Sequence, residues 1–222
     1  MSIAASAQWT KPVPKSTDLV KGDTLYLYNV GAEGFLLGAN DYGTRASVST
    51  GLGHKIVIKD VPDDEEGCVM ICDSVLAGSQ KGKMDALDCQ GFNAIWVDGT
   101  DGGTNFNRAG YNMWHINKDG QYYVITNENQ EGNFGVSEFT NTGEQGAAVA
   151  NTRTFMYQSE QKFSYEVEGE TFEVPYFSGA FWDKWIFVAP AEYDALIPQL
   201  SAYTAAMKLK DAIDAVKAQD AA

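Results

Sequence analysis

An all-β fold of three four-strand repeats, a β-trefoil, followed by a C-terminal α-helix, is what three features of this sequence predict. Short runs rich in aromatic and β-branched residues alternate with Gly, Asn and Asp. A strand with a bulky central residue returns three times, as His54-Lys55-Ile56-Val57-Ile58, Asn112-Met113-Trp114-His115-Ile116 and Asp183-Lys184-Trp185-Ile186-Phe187. After Pro190 the composition switches to Ala, Leu, Lys and Asp, with apolar residues three and four apart. One such unit cannot bury its apolar faces alone, so three must pack around a common axis, and a large closing residue plugs the barrel at each of three equivalent places. A β-sandwich accounts for the number of strands but not for the recurring closing strand.

The first unit reads as strands over 24–30, 34–38, 46–48 and 55–61, with a turn over 39–43. In its opening strand, Leu25 and Leu27 alternate with Tyr26 and Tyr28, so both faces are largely apolar. The second unit reads as 68–75, 92–98, 104–107 and 113–117. The third reads as 121–126, 133–139, 147–151 and 184–188. It is lengthened by an insertion over 155–182 that contains an extra hairpin, 162–167 and 170–177, around Glu168-Gly169. Gly31 and Gly34, Asp98-Gly99, Asp101-Gly102-Gly103, Lys118-Asp119-Gly120 and Asn141-Thr142-Gly143 supply residues that accept tight turns.

Tyr193, Leu196, Ile197, Leu200, Tyr203, Met207, Ile213 and Val216 predict an amphipathic helix, with Pro198 either in its first turn or between a short helix and a long one. The leading reading is a simple helix folded back on the barrel; because the stripe runs further than such docking requires, the alternatives are packing on a neighbour, self-association or a lead into a further domain. The chain therefore divides into an N-terminal arm (1–23), a barrel (24–190) and a helical segment (191–222).

Sixteen Lys and Arg against 30 Asp and Glu give a formal charge of -14, so nucleic acid and anionic membranes are repelled as partners. No run of about 18 apolar residues exists to insert into a membrane. With His54 and His115 the only histidines, a Ser-His-Asp hydrolase or a His-rich metal site has almost no material, and no cofactor or metal is expected. Thirty acids include no spacing that selects a glycosidase pair, and the chain is read as non-catalytic. Three cysteines allow at most one bridge. Cys68 and Cys72 on one strand face stand about 13 Å apart, too far to join, so a bridge involves Cys89, or all three are buried thiols. Small residues from Ser2 to Ala7 before Gln8 resemble the end of a signal peptide, which points to a secreted or surface protein.

Over 25–48, LYLYNVGAEGFLLGANDYGTRASV resembles the opening repeat of ricin-type β-trefoil lectin-like domains of secreted and surface bacterial proteins, with a pattern of the form YLYNVGxGxFLxGxNxxGTxAxV. The ending KWIFVAPAEY, 184–193, resembles the closing strand and helix start of the same proteins. The resemblance covers about a quarter of the chain and implies a binding module, commonly for carbohydrate. The Gln-x-Trp of sugar-binding members is replaced by His54-Lys55-Ile56, Asn112-Met113-Trp114 and Asp183-Lys184-Trp185.

A glycan pocket needs an aromatic face for the apolar side of the sugar and carboxylate or amide groups for its hydroxyls. Asn40, Asp41 and Tyr42 offer that set in the first unit. Trp96, Asp98, Asp101, Asn105 and Asn107 offer it in the second, where the density of oxygen donors also resembles a calcium loop but matches no EF-hand pattern. In the third unit Asn127, Glu128, Asn129 and Gln130 form a polar loop, with Glu138 and Phe139 on the next strand. Trp114 and Trp185 are assigned to the core, and His115, next to Trp114, to the opposite face. The expected function is binding of a glycan or a surface protein; the alternatives are a protein-binding inhibitor or scaffold, or an accessory domain of a larger secreted enzyme.

Overall fold

The computed structural model describes residues 10–41, 45–61, 67–73, 85–89, 96–97, 112–129, 131–140, 152–157, 162–167, 170–175 and 182–220. The strands among them are β1 (Thr24–Asn29), β2 (Gly34–Asp41), β3 (Arg45–Ser49), β4 (Ile56–Asp60), β5 (Val69–Asp73), β6 (Asp85–Asp88), β7 (Trp96–Val97), β8 (Trp114–Asp119), β9 (Tyr122–Asn127), β10 (Asn133–Thr140), β11 (Thr152–Tyr157), β12 (Lys162–Val167), β13 (Glu170–Pro175) and β14 (Trp185–Val188). One helix, α1 (Pro190–Asp220), follows. The chain is thus mostly β, with a barrel-like sheet and a C-terminal helix.

Six antiparallel strands close on themselves: β1 pairs β4, β4 pairs β5, β5 pairs β8, β8 pairs β9, β9 pairs β14, and β14 returns to β1. Closure leaves no exposed edge in the ring. Three hairpins, β2–β3, β6–β7 and β10–β11, are attached through β1, β5 and β9. They meet one another where β3 pairs both β7 and β11.

Three expected boundaries move. Residues 39–41 of the turn placed over 39–43 are strand, because β2 stays paired with β3 as far as Asp41 through a register irregularity after Leu37. In the second stretch β6 occupies Asp85–Asp88, ahead of the run placed at 92–98, of which Trp96 and Val97 form β7. Asp85-Ala86-Leu87-Asp88 has two apolar residues between acids and carries little strand signal; the run at 104–107 lies outside the described residues. In the third, the run placed at 147–151 lies outside the described residues; β11 is Thr152–Tyr157 and so takes 155–157 from the stretch read as an insertion, and β12–β13 form their own two-stranded sheet.

Period-two alternation explains how β1 can be apolar on both faces. Leu25 and Leu27 point into the barrel core with Ile56, Ile58, Val69, Ile71, Trp114, Ile125, Trp185 and Phe187. Tyr26 and Tyr28 point outward into a second cluster under α1, with Phe35, Ile186, Tyr193, Leu196 and Leu200. The Tyr26 and Tyr193 rings stack at 3.7 Å, and the Gly53 N–H donates to the Tyr193 hydroxyl at 2.9 Å.

Ile56, Trp114 and Trp185, the central residues of the three closing strands, are all fully buried. The two indoles do the same job: Trp114 Nε1 donates to the Leu87 carbonyl on β6 at 2.9 Å, and Trp185 Nε1 to the Phe134 carbonyl on β10 at 2.6 Å. In the first stretch Ile56 has no donor, and Leu36 on β2 receives the backbone N–H of His54 instead. A second clamp recurs at the ends of opening strands. Buried Asn29 donates to the Trp182 carbonyl and accepts from Ala32 N–H; buried Asn127 donates to the Met113 carbonyl and accepts from Asn129 N–H. Both bonds go to carbonyls just before a closing strand, which also accept a backbone N–H, from Val136 at Trp182 and from Glu128 at Met113.

In the Gly31 to Gly34 turn the positive φ of 51° falls on Glu33, while Gly34 serves close packing: a Cβ there would lie 2.6 Å from Val48 Cγ1 and 2.8 Å from the Ser49 carbonyl oxygen. Gly34→Ala is therefore expected to cost about 1–3 kcal/mol by overpacking, whereas Gly51→Ala, with open space around it, changes stability little. Urea midpoints of the two variants check this, and equal midpoints would count against it.

The helix is continuous through Pro198, with Pro190 as its first residue, where a missing N–H costs nothing. Pro198 breaks one backbone bond, but Leu196 and Leu200 are buried against the barrel on either side of it and hold the helix there. Further along the helix, Leu209, Ile213 and Val216 are exposed. Among the described residues no helix is long and apolar enough to cross a membrane.

Candidate functional site

The N-terminal arm is strapped to the barrel at several points. Thr17 N–H donates to the Phe187 carbonyl at 2.8 Å, Leu19 N–H to the Tyr123 hydroxyl, and Gly22 N–H to the Ile58 carbonyl. Lys15 N–H reaches Glu192 in the first turn of α1, and Lys11 pairs with Glu33 at 2.7 Å. Lys21 pairs with Asp60. These ties hold Val13, Pro14 and Ser16 a short distance above the outer face of β1, β9 and β14, and a half-open cleft of about 250 Å³ lies between.

Val30 and Ile186 give the cleft an apolar floor. Tyr28 and Tyr122 supply aromatic surface, Gln121 and Ser16 polar groups. Every one of the eight lining residues is uncharged. Gln121 Nε2 donates to the Tyr122 hydroxyl at 2.6 Å, which fixes the amide beside the ring. The Tyr28 hydroxyl is buried without a hydrogen-bond partner. Burial, with Glu33 adding to it, raises its pKa above the ordinary tyrosine value, so the hydroxyl stays protonated. A second hollow, about 440 Å³, lies between the loop at Thr50 and Gly51 and the helix at Leu200, Thr204 and Lys208, and has no aromatic wall.

The sequence-predicted site residues fall elsewhere. Asn40 and Asp41 are the last residues of β2, and Trp96 begins β7. Backbone register brings them together: Asp41 lies opposite Arg45, and Arg45 opposite Trp96. The first-unit and second-unit candidates thus meet on adjacent hairpin strands. Tyr42, Asp98, Asp101, Asn105 and Asn107 lie outside the described residues. Sequence reasoning missed the cleft because its walls come from the arm, the first strand, the β8–β9 turn and the last strand, none of which is polar enough to read as a site alone.

None of the three cysteines is disulfide-bonded. Cys89 sits in the main core, where burial beside Asp88 pushes its thiol up to about 12. Cys68, just before β5, and Cys72 on it lie in a third cluster with Met70 and Met113. His115 is half-buried and hydrogen-bonded to Glu128 Oε2 at 2.6 Å.

No family model matches the chain, and no curated protein matches it. Among solved structures it is similar to the lysenin pore, at 16% identity and a TM-score of 0.47 over 80% of this chain and 49% of that one. It is also similar to the botulinum neurotoxin serotype D binding domain, at 12% identity and a TM-score of 0.48 over 84% and 46%. The chain spans about half the length of each.

Proposed function

We propose that this chain is a β-trefoil binding module of a secreted or surface protein, non-catalytic, taking a small neutral saccharide in the cleft beneath its N-terminal arm. The trefoil reading is supported by the six-strand ring with three attached hairpins and by the two clamps that recur, Trp114 with Trp185 and Asn29 with Asn127. The observation that carries the ligand class is the composition of the cleft: two tyrosines, an amide and a hydroxyl around an apolar floor, with no charge. That set matches the alternating apolar faces and hydroxyls of a sugar. A volume of about 250 Å³ suits one ring better than an oligosaccharide or a drug-sized ligand. The resemblance of 25–48 to lectin-like repeats points the same way.

A glycan array with calcium present and absent, followed by calorimetry on any hit, tests the reading. Tyr122→Ala and Gln121→Ala are expected to abolish a hit. Tyr28→Phe is expected to leave the melting temperature unchanged or raised, since it deletes an unsatisfied buried hydroxyl, and to leave binding unchanged, since that hydroxyl does not open onto the cleft. A hit that instead disappears in Asp41→Ala or Trp96→Ala moves the site to the hairpin strands. Silence across the array removes the sugar reading. The second reading, a protein-binding scaffold, is favoured by the exposed Leu209, Ile213 and Val216; array silence together with loss of a captured partner in Ile213→Asp would support it.

A further inference from the structure

We propose that Cys68, His115 and Glu128 form a binding site for a thiophilic divalent cation of the zinc type. The ring places them. Val69 is in register with Trp114 on antiparallel β5 and β8, which sets Cys68 opposite His115. His115 is in register with Thr126 on β9, and Glu128, two residues further, is its diagonal neighbour; the Glu128 N–H continues the ladder to the Met113 carbonyl at 2.9 Å. All three side chains lie on the face opposite Trp114. Residues 47 and 13 positions apart thereby bring three donor atoms within 4.8 Å of one another.

The arrangement is convergent. In a thiol–imidazole–carboxylate relay the thiol and the acid occupy different ring nitrogens. Here Nε2 is the nearer nitrogen to both: it lies 3.5 Å from Cys68 Sγ, against 3.9 Å for Nδ1, and 2.6 Å from Glu128 Oε2. Cys68 Sγ is 3.8 Å from the same carboxylate oxygen. A tetrahedral zinc ion with ordinary bond lengths separates its sulfur and nitrogen ligands by about 3.5 Å, sulfur and oxygen by about 3.5 Å, and nitrogen and oxygen by about 3.3 Å. Two edges of the triangle are within about 0.3 Å of that. The third, the His115–Glu128 hydrogen bond, has to open by about 0.7 Å. Glu128 stands just past the end of β9, with more than a third of its side chain exposed, and is placed to do so.

Burial grades across the trio: Cys68 is buried, His115 intermediate and Glu128 exposed. The sulfur therefore sits at the floor, next to the cluster holding Met70, Cys72 and Met113, and the carboxylate at the mouth. Thiolate with imidazole selects a borderline or soft ion over calcium or magnesium. On loading, the Cys68 S–H bond breaks, an S–metal bond forms and the proton goes to solvent. Three protein ligands with the mouth open to water leave a fourth position for a solvent molecule.

The test uses the full chain with its thiols reduced, dialysed to equilibrium against a low, buffered free zinc concentration in excess magnesium, which occupies non-specific sites on this acidic protein. One tightly held zinc per chain is expected. Cobalt(II) in its place is expected to show the thiolate charge-transfer band and the intense visible bands of a four-coordinate ion. Cys68→Ala and His115→Ala should abolish both signals, and Glu128→Gln should weaken zinc at least tenfold. Cys72→Ser should change nothing. His115 and Glu128 are partly exposed, so their variants stay interpretable, with circular dichroism as the check, even if Cys68→Ala fails to fold. No retained zinc, retention that survives His115→Ala and Glu128→Gln, or an octahedral cobalt spectrum would each overturn the proposal. The ligands are separate from the sugar cleft, so the two readings fail independently.

Discussion

Trp185→Ala is expected to remove roughly 3–5 kcal/mol of stability by leaving a cavity at the centre of the barrel. It also orphans the Phe134 carbonyl, a further ~1–3 kcal/mol. Trp185 is fully buried, stacks on Phe134 with ring centroids 4.6 Å apart, and ties β14 to β10 through its indole N–H. Against a typical total of about 5–15 kcal/mol, that loss leaves the chain marginal or unfolded at room temperature. Trp185→Phe separates the two contributions, because it keeps most of the ring and loses only the bond to the carbonyl; about 1–3 kcal/mol is expected. Trp114→Phe should behave alike, since its indole makes the same bond to Leu87. Guanidinium unfolding followed by far-ultraviolet circular dichroism measures all three. If Trp185→Phe costs nothing, the indole clamp is not what holds the hairpin to the ring.

Unfolding in alkali, between about pH 10 and pH 12, is the second large effect expected. Burial raises the pKa of Tyr26 from 10.0 to about 12, with smaller contributions from Tyr193 and Asp194. Burial likewise raises Tyr28 and Tyr193, the latter partly offset by its hydrogen bond from Gly53. All three belong to the cluster that seals α1 to the barrel. A tyrosine whose folded pKa exceeds its unfolded value binds its proton more tightly when folded, so its contribution is fully present below pH 10 and falls as pH rises through the folded value. Tyrosinate absorbance should therefore rise for this group together with the loss of structure, as one cooperative step, and Tyr26→Phe should move the step to higher pH. Titration of all eleven tyrosines near pH 10 with the barrel intact would show that water reaches the cluster.

Several features of the fold were legible because they rest on local rules. The alternation in 24–30, the Lys162–Val167 strand of the extra hairpin, the helix after Pro190 and the burial of Ile56, Trp114 and Trp185 all follow from side-chain period and size. Even the double apolar character of β1 was visible, though only the docked helix explains it. What failed locally was register. Ala39, Asn40 and Asp41 read as a turn because their residue types favour one, and became strand because pairing with β3 outweighed that preference. Asp85–Asp88 read as nothing and became β6 because β5 and β7 offered it partners.

Composition and order determined, by themselves, that this chain is mostly β, strongly acidic, closed by bulky apolar residues and followed after the barrel by a helix. Periodicity and charge need no knowledge of which residues meet. Only the tertiary structure decided where chemistry can occur. It set Val13 and Ser16 of the arm over Tyr28 and Tyr122, and drew Cys68 just before β5, His115 on β8 and Glu128 just after β9 to one point. Closing a six-strand ring makes neighbours of residues tens of positions apart, and that adjacency is a property of hydrogen-bond register between strands, which no single stretch of sequence encodes.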